Sequence, residues 1–261
     1  MSDIILQAVN LRKAFGRLIA VDGVSLNVER GTVHSIIGPN GAGKTTFFNL
    51  LSGRYPVTSG QVFYKGEDVT ALSMDKRALK GIGRSFQITN VFPNLTVLEN
   101  VRLAAQANSD VNFRFYQLAD KYTHFVERAV EVIELVGLQN DISTLATVLP
   151  HGGKRKLELA IIIASDPELL LLDEPTAGMA SEQVPELLET IQRIRVQGNK
   201  TIVLVEHNMS VVMGVSDKIT VMNLGKLLSE GTPAEIAKDE TVQKVYLGEL
   251  YADEMQGASD V

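Results

Sequence analysis

Residues 32–46 read Thr32-Val33-His34-Ser35-Ile36-Ile37-Gly38-Pro39-Asn40-Gly41-Ala42-Gly43-Lys44-Thr45-Thr46, and the fold is decided there. A short apolar run ends in a glycine-rich turn, and residues 44–51 that follow have the apolar spacing of a helix. Gly38, Gly43, Lys44 and Thr45 occupy the fixed positions of a phosphate-binding loop, and strand, loop, helix is the context that pattern requires. Glycines let successive backbone N–H groups wrap round phosphate oxygens, while the helix N-terminus adds partial positive charge. On this reading Lys44 neutralises the β- and γ-phosphates and Thr45 offers its hydroxyl to Mg²⁺. A tight glycine turn beside a surface lysine is the plainer alternative, and the flanking strand and helix weigh against it.

Working outward, residues 4–9 and 18–28 alternate apolar and polar positions, with turn signals at Gly16 and Asp22-Gly23, which predicts antiparallel strands. A polar hairpin is expected over residues 60–68, then a helical region over 95–137 whose apolar positions include Phe125, Ala129, Val132, Ile133 and Val136. Residues 169–172 and 201–205 read as buried strands separated by an amphipathic helix at about 182–196, which argues for a parallel α/β core. A second hairpin is expected over 218–228, with Asn223, Leu224 and Gly225 near its turn. Short helices follow, and a polar tail after about residue 249. No repeat, low-complexity run or linker separates two independent domains.

Composition narrows the function. The 45% hydrophobic and 21% charged fractions are those of a folded globular chain. A net charge of -6 gives no electrostatic case for holding a nucleic-acid backbone. With no cysteine there are no disulfides or thiolate metal sites, which suits a reducing compartment such as the cytoplasm. The chain's apolar runs, such as residues 161–164 and 169–172, are far short of the ~20 residues that span a bilayer. Residues 1–10 lack the pattern of a secretion signal.

Asp173-Glu174 follows four consecutive leucines, so two carboxylates emerge at the C-terminal end of a buried strand, where α/β sheets bind ligands. Asp173 is expected to hold Mg²⁺ through water and Glu174 to polarise the attacking water as general base. Alone, the pair could be two solvated loop acids; beside a phosphate loop the catalytic reading is stronger. His207 follows the strand at 201–205 and could point a ring nitrogen at the γ-phosphate from a second strand end. Gln87, next to Phe86, has no legible chemistry of its own.

Taken together, GPNGAGKTT (38–46), SFQ (85–87), LPHGGKRKLELA (149–160), LLLLDEPTAG (169–178) and VEH (205–207) resemble, in order and spacing, the nucleotide-binding subunits of ATP-binding cassette transporters. The resemblance covers residues 4–248. It implies a P-loop NTPase core with a mainly parallel sheet, an N-terminal antiparallel β subdomain and a helical signature-motif subdomain at about 88–165, all within one domain over 1–248. It also implies that Phe15 stacks on adenine, that Gln87 senses Mg²⁺ and the membrane partner, and that Glu174, His207 and Lys44 carry the catalysis. His151, Gly152 and Gly153, just ahead of a helix that the sequence predicts to begin near Lys154, would close over ATP bound to a second, opposed ATPase subunit. Without that resemblance Phe15 is a strand residue in a minor core.

A finer similarity, carried by FGRLIAVDGVSLNV, FQITNVFPNLTVLENVRLAAQ and EGTPAEIAKDETVQKVYLGE, is to the importer branch for branched-chain amino acids, amides and urea. It implies two membrane-spanning permease subunits, an external solute-binding protein and a peripheral place on the cytoplasmic face of the membrane. The chain departs from the family at two points. Signatures commonly read LSGGQ, whereas Pro150 and His151 precede Gly152 here, and Ala180 stands where Asp or Asn is usual. Two rivals remain: a cassette ATPase acting on ribosomes or DNA, whose tandem cassettes or coiled-coil insertions this chain lacks, and an ATP-binding subunit that barely hydrolyses, against which Glu174 and His207 argue.

Overall fold

A computed structural model describes residues 3–85, 91–107 and 123–245, and these fall into two compact units, one within residues 3–74 and 203–245 and one within residues 75–202. In the first unit β1 (Ile4–Phe15) and β2 (Leu18–Glu29) form a long antiparallel pair. β4 (Ser59–Tyr64) adds to the other edge of β1 and β5 (Glu67–Asp68) to β4. Leu6 and Ala8 on β1 and Val24, Leu26 and Val28 on β2 are buried at alternate positions, as the alternation predicts.

β1 runs six residues beyond the alternating stretch that predicts it. Ala8 pairs with Leu26 and Leu11 with Val24, so three steps on β1 oppose two on β2. The extra residue is absorbed at a bulge where Asn10 takes a φ of 47° and gives its N–H to Ser25 Oγ. A bulge shifts the period by one, and that is why the pattern stops there while the strand does not.

The same unit contains β3 (Val33–Ile37), buried throughout, which runs parallel to β9 (Lys218–Asn223), while β10 (Lys226–Gly231) returns antiparallel to β9. The order is β10-β9-β3-β8, with β8 at Thr201–Val205. The β9–β10 turn is Leu224-Gly225, with φ of 48° and 78°. Two consecutive positive φ values are the geometry that matches strand twist in a two-residue hairpin. Behind it His34 lies buried, its Nε2 2.8 Å from Thr220 Oγ1, whose hydroxyl donates to Glu230 at 2.9 Å. Burial lowers the His34 pKa to about 4, so the ring is neutral at physiological pH.

In the second unit β6 (Ile82–Arg84) runs parallel to β7 (Leu169–Asp173). Three helices, α3 (Val97–Ala107), α4 (Thr123–Leu135) and α5 (His151–Ala164), pack on one another. α4 buries Phe125, Ala129, Val132 and Ile133, the single stripe its spacing predicts. α3 opens with a reciprocal cap in which Glu99 N–H donates to Thr96 Oγ1 and Thr96 N–H to the Glu99 carboxylate. Those bonds to Thr96 hold the Glu99 carboxyl below its usual range. Buried Asn100 fastens the preceding loop, donating to Phe92 O and Thr96 O and accepting from Phe92 N–H. No helix among the described residues is long and apolar enough to cross a membrane.

Candidate functional site

In the first unit β3 delivers the chain into the glycine loop, and α1 (Lys44–Leu51) leaves it. Gly38, Gly41 and Gly43 have φ of 151°, 77° and 94°, values that L side chains rarely adopt. The loop also lies against other backbone. A methyl on Gly38 would meet Met222 O at 2.1 Å, and one on Gly43 would meet Ala20 O at 2.4 Å. Gly225 N–H donates to Ala42 O at 3.0 Å, and Gly225 O accepts from Asp22 N–H at 2.8 Å, so the β9–β10 turn braces the loop. Lys44 is buried, and its ammonium donates to Gly38 O at 2.6 Å and Pro39 O at 3.0 Å. Pro39 and Thr46 are half-buried, Asn40 is exposed and Ala42 is buried. The Thr45 side chain is exposed at the start of α1.

Also in this unit, β8 ends at Val205 and places His207 in the open two residues on. Buried Glu206 shapes that exit by accepting the His207 N–H at 3.1 Å. Asn208 then caps α7 (Met209–Val215) through its side-chain oxygen, which accepts from Ser210 N–H at 3.1 Å. Phe15, at the end of β1, is 45% exposed and meets Tyr55 edge to face.

In the second unit β7 ends in Asp173 and Glu174. Asp173 is buried; its N–H donates to Ser85 Oγ at 2.9 Å, and its carboxylate lies 3.9 Å from Arg84. Glu174 is half-buried with a φ of 47°, an uncommon conformation for a residue with a side chain and one that recurs at functional sites. The loop after it turns back on itself, Ala177 N–H donating to Glu174 O at 3.0 Å.

The same unit presents the Pro150–Gly153 stretch, where one expectation needs correcting. The sequence places the start of the helix near Lys154, whereas α5 begins at His151 with extended Pro150 as its N-cap. Lys154 N–H to Pro150 O is the first bond of the helix, so Gly152 and Gly153 lie in its first turn. The start was misread because two adjacent glycines suggest a loop, though first-turn residues donate no intrahelical bond. The His151 ring lies beside Gly178, and a methyl on Gly152 would lie 3.6 Å from the Gln183 side chain. Arg155 pairs with Glu158 at 2.8 Å and reaches Ala177 O at 3.4 Å. The first turns of α5 and the loop after Glu174 are therefore neighbours.

Gln87 lies outside the described residues. Among the site's supports, Ser85, Tyr55 and Gly225 carry no local signal of their role, since each acts through a partner distant in sequence. Lys13 had one, being two residues before Phe15 and so on the same face of β1.

Comparison with known proteins shows the family. Residues 21–177 match a family model described as ABC transporter, and residues 226–252 one described as branched-chain amino acid ATP-binding cassette transporter. The chain is 39% identical over 254 residues to the high-affinity branched-chain amino acid transport ATP-binding protein BraF of Pseudomonas aeruginosa, covering 95% of this chain and 100% of that protein. Among solved structures, the ADP conformation of MJ1267, an ATP-binding cassette of an ABC transporter, superposes with a TM-score of 0.81 at 27% identity, covering 94% and 99% of the two chains. The dimeric structure of MJ0796, a bacterial ABC transporter cassette, does so with a TM-score of 0.73 at 25% identity, covering 88% and 99%. Phosphate loop, strand-end carboxylates and signature helix thus occur in a chain that belongs to the ABC transporter family and is one of its ATP-binding cassettes.

Proposed function

We propose that this chain is the ATP-binding and hydrolysing subunit that powers an importer of branched-chain amino acids or related small polar solutes such as amides and urea. The observation that carries the substrate class is the match of residues 226–252 to the branched-chain amino acid cassette model, beside the full-length similarity to BraF. Both units belong to one ATPase domain over 1–248, with a helical subdomain at about 88–165.

Residue roles follow the chemistry of each group. The loop from Gly38 to Thr46, with Pro39, Asn40, Gly41, Ala42 and Gly43 giving backbone N–H groups where they have one, cradles the phosphates. Lys44 leaves its loop carbonyls for the β- and γ-phosphates, and Phe15 stacks on the base. Glu174 takes the proton of the attacking water and His207 contacts the γ-phosphate. Thr45, Asp173 and Gln87 would each offer Mg²⁺ an oxygen, the donor type that this cation prefers. When bound, Mg²⁺ neutralises charge building on the phosphate oxygens. His151, Gly152 and Gly153 face ATP on a second ATPase subunit, identical or homologous.

The working assembly is two such subunits beneath two membrane-spanning permeases, peripheral at the cytoplasmic face, fed indirectly by a solute-binding protein and without nucleic acid. The test is ATPase activity of the complex in vesicles, with the solute-binding protein loaded in turn with leucine, an amide or urea. Stimulation by at least one solute, against low activity of the isolated chain, is expected. Strong turnover by the isolated chain that stays linear down to nanomolar concentration, with no response to permease or solute, overturns the reading.

A further inference from the structure

Three hydrogen bonds zip the end of β1 to the segment between α1 and β4. Lys13 Nζ donates to Pro56 O at 2.7 Å, Ala14 N–H to Thr58 Oγ1 at 3.0 Å, and Thr58 N–H to Arg12 O at 2.8 Å. They bring Tyr55 against Phe15 with ring centroids 5.7 Å apart and planes at 83°. Into the corner between the rings goes the Lys13 ammonium, 5.1 Å from the Phe15 centroid and 5.9 Å from that of Tyr55. Both distances lie within the range over which a cation is attracted to a ring face. A half-exposed phenylalanine would otherwise exchange rotamers, and a ligand stacking on it would have to bear the ordering cost.

We propose that Lys13 is a positioning residue for the nucleotide base: it fixes Phe15 against Tyr55 and leaves the ring face away from the ammonium outward as the stacking surface. This rests on the reading of Phe15 as the base-stacking side chain. The cation acts on the ring and not on the phosphates, so its influence is confined to ligands that carry a base. It is also distinct from Lys44, whose ammonium serves the phosphate end.

The experiment measures equilibrium binding of two probes, ATP–Mg and base-free tripolyphosphate–Mg, to the full chain carrying Lys13→Met, Lys13→Arg, Phe15→Ala or both Lys13→Met and Phe15→Ala. Lys13→Met is expected to weaken ATP about two- to fivefold, the size of an exposed cation–π contact, and to leave tripolyphosphate unchanged. Lys13→Arg keeps the cation and restores most of the ATP affinity. Added to Phe15→Ala, Lys13→Met has no further effect. Equal weakening of both probes means that Lys13 acts on phosphate or on the fold, and unchanged or tighter ATP binding means that it braces nothing or occupies the base's own place; either result overturns the proposal. If Phe15→Ala itself leaves ATP binding intact, the stacking reading falls and the brace with it. If Phe15→Ala weakens ATP and Lys13→Met does not, the brace alone is wrong.

Discussion

At the phosphate loop a methyl group on Gly38 meets Met222 O at 2.1 Å and one on Gly43 meets Ala20 O at 2.4 Å, whereas at the start of α5 a methyl on Gly152 meets nothing described in this chain nearer than the Gln183 side chain at 3.6 Å. The first two glycines are demanded by the chain's own backbone, which closes on them. Gly152 is not: its own subunit leaves ordinary van der Waals room. On the proposed reading, one loop serves a ligand held by this chain and the other a ligand held by its neighbour.

Four substitutions press on that contrast. The largest effect is expected from Glu174→Gln, which removes the general base but spares both glycine loops. Turnover should fall by about 10²–10⁴-fold in the assembled transporter with ATP affinity retained, read by steady-state hydrolysis beside nucleotide binding. Near wild-type hydrolysis would dismiss Glu174 as the base. Next comes Gly152→Asp. A carboxylate in the first turn of α5 is neutral or slightly stabilising for the separate chain, by up to about 1 kcal/mol in thermal melts. Facing the γ-phosphate of the opposed subunit, the same carboxylate should cut hydrolysis by the complex by about 10²-fold, since like charges in a partly dry interface repel by several kcal/mol. An unimpaired complex would reduce this turn to a helix cap.

Gly38→Ala reverses the pattern. Its methyl group collides with backbone at a φ of 151°, so the isolated chain should lose about 3 kcal/mol of stability and its nucleotide binding, before any partner is added. A melting temperature unchanged from the parent would show that the loop can yield. The smallest effect is expected of Pro150→Ser. Proline has neither a hydroxyl nor a backbone N–H, so any contact from this loop must come from the backbone of the following glycines. Restoring a serine should therefore change turnover by no more than about twofold. A tenfold rise would mean that the missing hydroxyl limits this enzyme.

Local features of the site were legible in the sequence and its long-range supports were not. Gly38, Lys44, Thr45, Asp173, Glu174 and His207 stand at strand ends or in a loop whose conformation their own neighbours impose, so spacing alone predicts them. The four leucines before Asp173 form a buried strand as expected. By contrast, the hydroxyl that holds the Asp173 N–H is 88 residues away at Ser85, and the turn that braces Ala42 lies beyond residue 220. Nothing in the composition of either stretch advertises the pairing. The early start of α5 escaped for another reason, because helix propensity speaks against two glycines and is silent about first-turn positions that need no bond.

Gly225 donates to Ala42 with its N–H and accepts from Asp22 with its oxygen, and its neighbour Leu224 is 81% exposed at a φ of 48°. The chain contains no cysteine. A Leu224→Cys substitution therefore creates its sole thiol, one residue from a hydrogen bond into the phosphate loop. An environment-sensitive dye attached there sits in water, yet on a turn whose backbone hydrogen-bonds to the loop holding Lys44. It offers an optical gauge of loop occupancy during turnover, with no need for a labelled nucleotide.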